Sequence, residues 1–485
     1  MKEYDTHTLD VPYVDRLDEE GLDAIHEGAM HIIENVGIKL NHERALDLYD
    51  EAGAEVDYDE HMVKVPRDII EDGIDSVPSS FTLHGRGGQE ITVGPGEDGQ
   101  VRAPGYGAPN IRTFEDGRRS SQMADYEDLI KTCHVEDTIN STGYNVCEPN
   151  DVDQEVKHYE MVSRSLKLSD MPTMGSVYGA DRAQASLDMA SIAVDDADLS
   201  KPYIVGLINT VPPRSIDTKM LGGLLTYAEN GQPTLVSSFT MAGASAPATM
   251  AGAFAMATAE NLTGLTLTQL VNEGAPAVFG VPASNIDVRY GALSIGSPES
   301  ALFVSFAGQM GRYYDVPSRG GGALSDTKSI DYQGGFESML IQVATQFADI
   351  DYVLHSAGIL ESYSTMSPEK LVLDAEIMRF LDRYKDGFDI DDETLAMDVI
   401  PEVEAAGHFL SERHTLTHSK DELYKSDVVD KRSHGDWEDD GSKSAFEMGY
   451  DRFQQDLEEY EQPELDPDIE QTLDNYVEDG KKTAY

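Results

Sequence analysis

Residues 316–337 read VPSRGGGALSDTKSIDYQGGFE. A short β-prone run meets three glycines, Gly320, Gly321 and Gly322. A hydroxyl, a carboxylate and an amine follow at Ser325, Asp326 and Lys328. Tyr332, Gln333 and Glu337 then open a stretch with helical character. A strand that runs into a polar, glycine-loosened loop before a helix is where α/β enzymes place their chemistry. A flexible strand-to-helix connection with a capping aspartate would use the same residues.

The same rhythm recurs upstream and downstream. Short β-prone runs start at Val101, Thr138, Met171, Pro202, Pro233, Pro276, Asp315 and Asp351. Amphipathic or small-residue helical stretches separate them, among them DYEDLIKTCHV, SLDMASIAVDD and SPESALFVSFAGQMGRYY. About eight strand–helix units spaced roughly 30 to 40 residues apart argue for an α/β fold of the (β/α)8 TIM-barrel type. A doubly wound sheet is the alternative, but its G-x-G-x-x-G phosphate loop is absent. The barrel is expected over residues 99–387. Residues 1–98 read as a helical and hairpin N-terminal region. Residues 388–485 read as an acidic C-terminal extension, with its last 30 residues a solvated outer helix.

Residues 246–272 form a helix rich in Ala, Gly and Thr, suited either to an interface in a homo-oligomer or to the barrel wall. Glu260 on it is read first as a buried, hydrogen-bonded carboxylate and second as a catalytic one.

The chain has 485 residues, 40% of them apolar, enough for a sizeable core. It carries 36 basic against 90 acidic side chains, a net charge of −54. That excess, spread along the chain, argues against nucleic acid and anionic membrane as partners, since both need clustered Lys and Arg. Self-repulsion of this size needs screening, so a salt-rich cytoplasm, as in a halophile, is expected. The N-terminus shows no apolar signal segment and no stretch is long enough to span a membrane, so a cytoplasmic location is expected. Cys133 and Cys147 lack metal-site spacing. His408, His414 and His418 have an H-x5-H-x3-H spacing, but no firm motif accompanies it, so no metal is expected.

Several blocks in order carry a family resemblance. They are GASAPATMAGAFAMATAENLTGLTLTQLVNEGAP, then GSPESALFVSFAGQMGRYYDVPSRGGGALSDTKSIDYQGGFES, then LVLDAEI and GHFLSERHTLTH. With ALDLYDEAGAEVDYDEHMVKVP and PSSFTLHGR at the start, the chain resembles the trimethylamine methyltransferase family from about residue 20 to 420. The resemblance implies a TIM-barrel methyltransferase that passes a methyl group from a methylated amine to the cobalt of a corrinoid. A separate corrinoid-binding protein would present that cofactor at the C-terminal mouth of the barrel. Two departures stand out. The founding enzyme carries pyrrolysine, whereas this sequence has standard residues only. The family's Asn-Pro-Gly-Ala-Pro is here Asn272-Glu273-Gly274-Ala275-Pro276, which is expected to reshape the loop before the sixth run.

Pyrrolysine is thought to capture an amine through its lone pair. A quaternary ammonium has no lone pair and already makes its tertiary amine a workable leaving group. In-line attack by Co(I) then needs positioning and charge balance. Family members without pyrrolysine act on glycine betaine and related compounds, so a small quaternary amine of that kind is expected. Trimethylamine, carnitine, proline betaine and a silent betaine-binding barrel stay open.

Aromatic faces and carboxylates suit a quaternary ammonium. Tyr106, Tyr144, Tyr178, Phe239 and Tyr332 are the aromatic candidates, with Gln333 and Glu337 at family positions. Glu337 would equally brace its helix. Arg319 and His355 are placed for a substrate carboxylate. Asp326 and His355 are the catalytic candidates. Gly321, Gly322, Ser325, Asp326 and His355 are the candidates for meeting the corrinoid. Asn145 and Asn209 are further polar candidates near strand ends.

Overall fold

Each β-prone run is too short and too apolar to stand as an edge, so it has to pair on both sides. In the computed structural model, which describes residues 5–7, 13–97 and 99–483, they do so in one parallel sheet. Its strands are β1 (Val101–Ala103), β2 (Thr173–Gly175), β3 (Ile204–Asn209), β4 (Thr234–Ser237), β5 (Ala277–Gly280), β6 (Ser318–Arg319) and β7 (Tyr352–Leu354). The order is β2-β3-β4-β5-β6-β7-β1, with Leu207 opposite Leu235, Val236 opposite Phe279 and Tyr352 opposite Val101.

The run from Thr138 closes the ring without becoming a regular strand. The Asn140 and Thr142 amides donate to the carbonyls of Arg102 and Pro172, and Met174 donates back to Gly143. The Asn140 side chain accepts from the Arg102 amide at 2.7 Å, taking a place a backbone carbonyl would hold in a ladder. Gly143, at φ +67°, then turns the chain out of extended geometry. The fold is thus a (β/α)8 barrel with seven regular strands and one irregular eighth.

Eight helices wrap it: α1 (Met123–Val135), α2 (Lys157–Leu168), α3 (Ala180–Val194), α4 (Thr218–Glu229), α5 (Met250–Val271), α6 (Pro298–Tyr314), α7 (Tyr332–Phe347) and α8 (Pro368–Asp386). Ser297 and Ser367 cap α6 and α8, each followed by proline at the first helical position. Helix α2 is the one the sequence rhythm did not single out.

The small residues of α5 have a direct explanation. Their outer face is covered by N-terminal helices Glu19–His31, Glu43–Ala52 and Arg67–Asp75. A Cβ on Gly73 would sit 2.7 Å from Thr266, and one on Gly264 would sit 2.5 Å from Val236. The helix is pressed between the barrel wall and the N-terminal layer, which requires close approach on both sides. The departure at 272–276 lies before β5, at the end of the strands opposite their C-terminal mouth. Its turn is held by Gln269, which accepts from the Gly274 amide and donates to Ala275.

The C-terminal chain folds back over the barrel helices. Helix Ala445–Glu459 packs on α8 and α1, and helix Pro467–Thr483 packs on α2 and α3 with Leu473 and Val477 buried. The solvated outer helix expected there is in fact amphipathic and docked. Buried Glu136 and Asp456 face each other between Arg379 and Arg452 and tie this segment to α1 and α8. The His414 and His418 rings lie 4.2 Å apart, tilted by 35°, and His418 faces Glu393. Among the described residues no group of three or more His, Cys, Asp or Glu could hold a metal ion, and no helix is long and apolar enough to cross a membrane.

Candidate functional site at the C-terminal mouth of the barrel

The residues just past the strands surround a cavity of about 450 Å³. Tyr106 follows β1, Asn209 ends β3, Phe239 follows β4, Arg319 ends β6 and His355 follows β7. Tyr363 reaches in from the loop between β7 and α8. Aromatic rings therefore form much of the wall. The His355 and Tyr363 rings lie 4.6 Å apart, Phe239 and Tyr363 meet edge-on at 5.7 Å, and Tyr106 and His355 at 6.5 Å.

Arg319 is 2% exposed, and its Nε and Nη1 have no hydrogen-bond partner. Its Nη2 donates to Nδ1 of His355 at 3.4 Å. A guanidinium only donates, so Nδ1 of His355 accepts and the imidazole proton sits on Nε2. Burial, and then the neighbouring Arg319, hold the His355 pKa well below its ordinary value, so the ring is neutral. Burial also pushes Arg319 down to about 10, which leaves it charged at neutral pH. No carboxylate lines this cavity among the described residues. Its one formal charge is an incompletely paired, buried cation, an arrangement that favours an anionic group on the ligand.

Ser325, Asp326 and Glu337 of the 316–337 stretch act behind this wall. The Asp326 carboxylate accepts from Ser294 Oγ at 3.1 Å, the Ile295 amide at 2.9 Å, the Gly296 amide at 3.1 Å and Ser362 Oγ at 2.6 Å. Ser362 precedes Tyr363, and Glu361, Ser362 and Tyr363 all have positive φ, between 51° and 72°. Left-handed backbone costs such residues roughly 1–2 kcal/mol each, so this turn has to be held in place. Asp326 holds it and so places the Tyr363 ring.

Glu337 accepts from Ser325 Oγ at 2.7 Å, the Asp326 amide at 2.8 Å and Gln333 at 2.8 Å, bracing the loop against α7. Gly321 and Gly322 are buried at positive φ. Cβ atoms there would lie 1.9 Å from Thr345 Oγ1 and 2.1 Å from the His355 carbonyl. The glycines thus let the loop pack under His355, and with Ser325 they are turned into the protein rather than offered to a ligand.

Tyr332 also differs from expectation. It is 87% exposed beside Phe336 on the outside of α7, where it is the first helical residue after the Asp331 cap. Glu260 is fully buried and accepts from Thr210 Oγ1 at 2.5 Å, Ser238 Oγ at 2.6 Å and the Arg214 amide at 2.6 Å. It clasps the ends of β3 and β4, next to Asn209 and Phe239. Tyr144, Asn145 and Tyr178 line a second cavity, of about 330 Å³, which shares Tyr106, Leu207 and Asn209 with the first. Tyr363 was missed in the sequence. Its one signal there is an aromatic residue between the eighth run and the helix that follows.

A (β/α)8 barrel with its cavity at the C-terminal ends of the strands has the architecture of an enzyme. Comparison with known proteins narrows the class. The profile of the trimethylamine methyltransferase family matches residues 1–484. A glycine betaine methyltransferase of Desulfitobacterium hafniense (strain Y51) is 38% identical over 96% of this chain and 97% of its own length. A proline betaine:corrinoid methyltransferase of Eubacterium limosum is 31% identical over 81% and 82%. The monomethylamine methyltransferase of Methanosarcina barkeri shares the fold at a TM-score of 0.53 and 12% identity, over 93% of this chain and 90% of that one. The chain belongs to the trimethylamine methyltransferase family, and it is a methyltransferase.

Proposed function

We propose that this enzyme takes a methyl group from a carboxylate-bearing quaternary amine of the glycine betaine kind and delivers it to a corrinoid carried by a partner protein. The observation that carries the reading is Arg319. A bare cation would meet a cavity whose only formal charge among the described residues is positive, whereas a zwitterion can place its carboxylate on the free Nε and Nη1 and its quaternary head against the aromatic wall. Trimethylamine has no carboxylate and would leave Arg319 incompletely paired. Similarity to a glycine betaine methyltransferase and to a proline betaine:corrinoid methyltransferase supports the same direction.

The corrinoid would supply a Co(I) nucleophile. The residues at the mouth suit a broad, largely uncharged ring system: Tyr178 and Val211, each about half exposed, line the cavities in an otherwise strongly acidic chain. The chain's own part is positional. Arg319 fixes the carboxylate, and neutral His355 orients Arg319 without adding charge. Tyr106, Phe239 and Tyr363 steer the quaternary nitrogen so that one methyl faces the mouth. No general acid is needed, because the departing amine leaves neutral. The barrel of residues 99–387 carries this chemistry, with residues 1–98 and 388–485 bracing it.

The test mixes the protein with a Co(I) corrinoid protein and glycine betaine in molar KCl and follows the Co(I) absorbance. Its decay with glycine betaine, and not with trimethylamine, is expected. Persistence of Co(I) with every carboxylate-bearing quaternary amine tried would overturn the reading.

A further inference from the structure

The second cavity has a chemistry of its own. Asn145 donates through Nδ2 to Glu148 Oε2 at 2.8 Å. Glu148 also accepts from Lys157 at 2.6 Å and from Gln154 at 3.2 Å. These partners hold its carboxyl below the usual range against the opposing effect of burial, so it is ionised and only accepts. The amide of Asn145 is therefore fixed in orientation, and its Oδ1 is left as an acceptor. That oxygen is buried and has no partner. Nδ1 of His158, on a side chain 5% exposed, is likewise buried without a partner. Burial brings His158 down to about 4, so this ring is neutral. Tyr106 and Tyr144, 6.4 Å apart, form an aromatic wall, and Arg182 lines the same cavity.

The free Oδ1 asks for a ligand that donates from nitrogen or oxygen. A quaternary ammonium has no N–H and cannot answer it. The amine left after one methyl has departed can: its nitrogen lone pair takes a proton from water, and the resulting tertiary ammonium carries one N–H and a positive charge suited to aromatic faces. We infer that the second cavity, centred on Asn145, His158, Tyr144 and Arg182, is a holding site for the demethylated product, with the ammonium N–H donated to Asn145 Oδ1 and the carboxylate turned to Arg182. The inference rests on the proposed betaine chemistry. Through Tyr106, Leu207 and Asn209 the two cavities adjoin, so product can leave the reacting position while the larger cavity is refilled.

Isothermal titration of the full-length protein in molar KCl tests this, with N,N-dimethylglycine as the probe. The tertiary amine should still bind when glycine betaine is saturating, its affinity falling less than about twofold. Asn145→Leu should weaken dimethylglycine at least tenfold while glycine betaine stays within twofold, which also reports that the variant is folded. Full displacement of dimethylglycine by glycine betaine, or an unchanged dimethylglycine affinity in Asn145→Leu, would overturn the site. Binding of dimethylglycine that depends on Asn145, in a protein that takes no glycine betaine, would support the site and overturn the substrate reading instead.

Discussion

Replacing Arg319 by glutamine removes the only formal charge that the described residues present to the larger cavity while keeping a side chain of similar reach. A hydrogen bond to a charged group contributes about 1.5–3 kcal/mol, so KM for glycine betaine should rise roughly 10- to 100-fold. Turnover at saturation should change less, because the carboxylate is held alike in ground and transition states. Equal kinetics for Arg319→Gln and the parent would remove the main support for a zwitterionic substrate. Tyr363 acts through its ring face, so Tyr363→Phe should retain affinity. Tyr363→Leu should lose about 1 kcal/mol of it, read as a several-fold rise in KM. His355 adds a pH statement. Its folded pKa lies well below 6.5, so it takes no proton as pH falls from 8 to 6. Protonation would add positive charge beside Arg319 and strengthen carboxylate binding. Betaine KM measured from pH 6 to 8 should therefore show no such inflection, and tightening toward pH 6 would show that the ring is not held neutral.

Between elements, two hydrogen-bonded carboxylates tie segments together, Asp326 behind the mouth and buried Asp351 at the N-terminal end of β7. Asp326 collects four donors from residues 294–296 and 362. Asp326→Asn would turn an amide N–H₂ toward two of them. A loss of about 1–3 kcal/mol in stability is expected, with betaine affinity falling as the Tyr363 turn loosens. Asp351 opens β7 and accepts from the Ser318 amide at 2.6 Å and its hydroxyl at 2.7 Å, locking β6 to β7. Burial raises its pKa from 3.8 to about 6 against these hydrogen bonds. With the folded value above the unfolded one, its contribution is full below pH 3.8 and lost as pH rises through 6. Relative to Asp351→Asn, the parent should thus lose up to about 3 kcal/mol across that window, measured by denaturant titration at each pH. A constant difference between the two proteins would show that Asp351 does not titrate there. These two carboxylates also show how far the sequence could be read. Arg319 and His355 were legible because strand ends in a barrel point to its mouth. Asp326 was legible as important but not as a brace, since its donors lie 30 or more residues away in sequence. Tyr363 was hidden because three left-handed residues aim it, and nothing in ILESYSTM announces that turn.

At the scale of the whole chain, the strand–helix rhythm was strong enough to give the barrel, and seven of the eight runs became strands. The run from Thr138 escaped regular pairing because the Asn140 side chain stands in for a backbone partner. The N-terminal layer explains the small residues of α5, which periodicity alone left open between a wall and an interface. Charge is the property that no local motif contains. With 90 acidic and 36 basic side chains, pairing every cation still leaves 54 carboxylates without a partner of opposite sign. Their mutual repulsion opposes the compact state, and salt screens it, the Debye length shrinking from about 10 Å at 0.1 M to about 3 Å at 1 M. Salt also weakens the exposed ion pairs, such as Arg67 with Glu27 and Lys482 with Asp479, but such pairs contribute little. Repulsion should therefore win. The melting temperature should climb by about 10 °C or more between 0.1 and 1 M KCl, and by less from 1 to 2 M once screening reaches contact distances. Sodium chloride should act equally over the lower range, because screening depends on ionic strength rather than on the cation. A melting temperature that stays level or falls between 0.1 and 1 M would show that the acidic surface is not self-destabilising, and that the carboxylates are held by contacts within the fold.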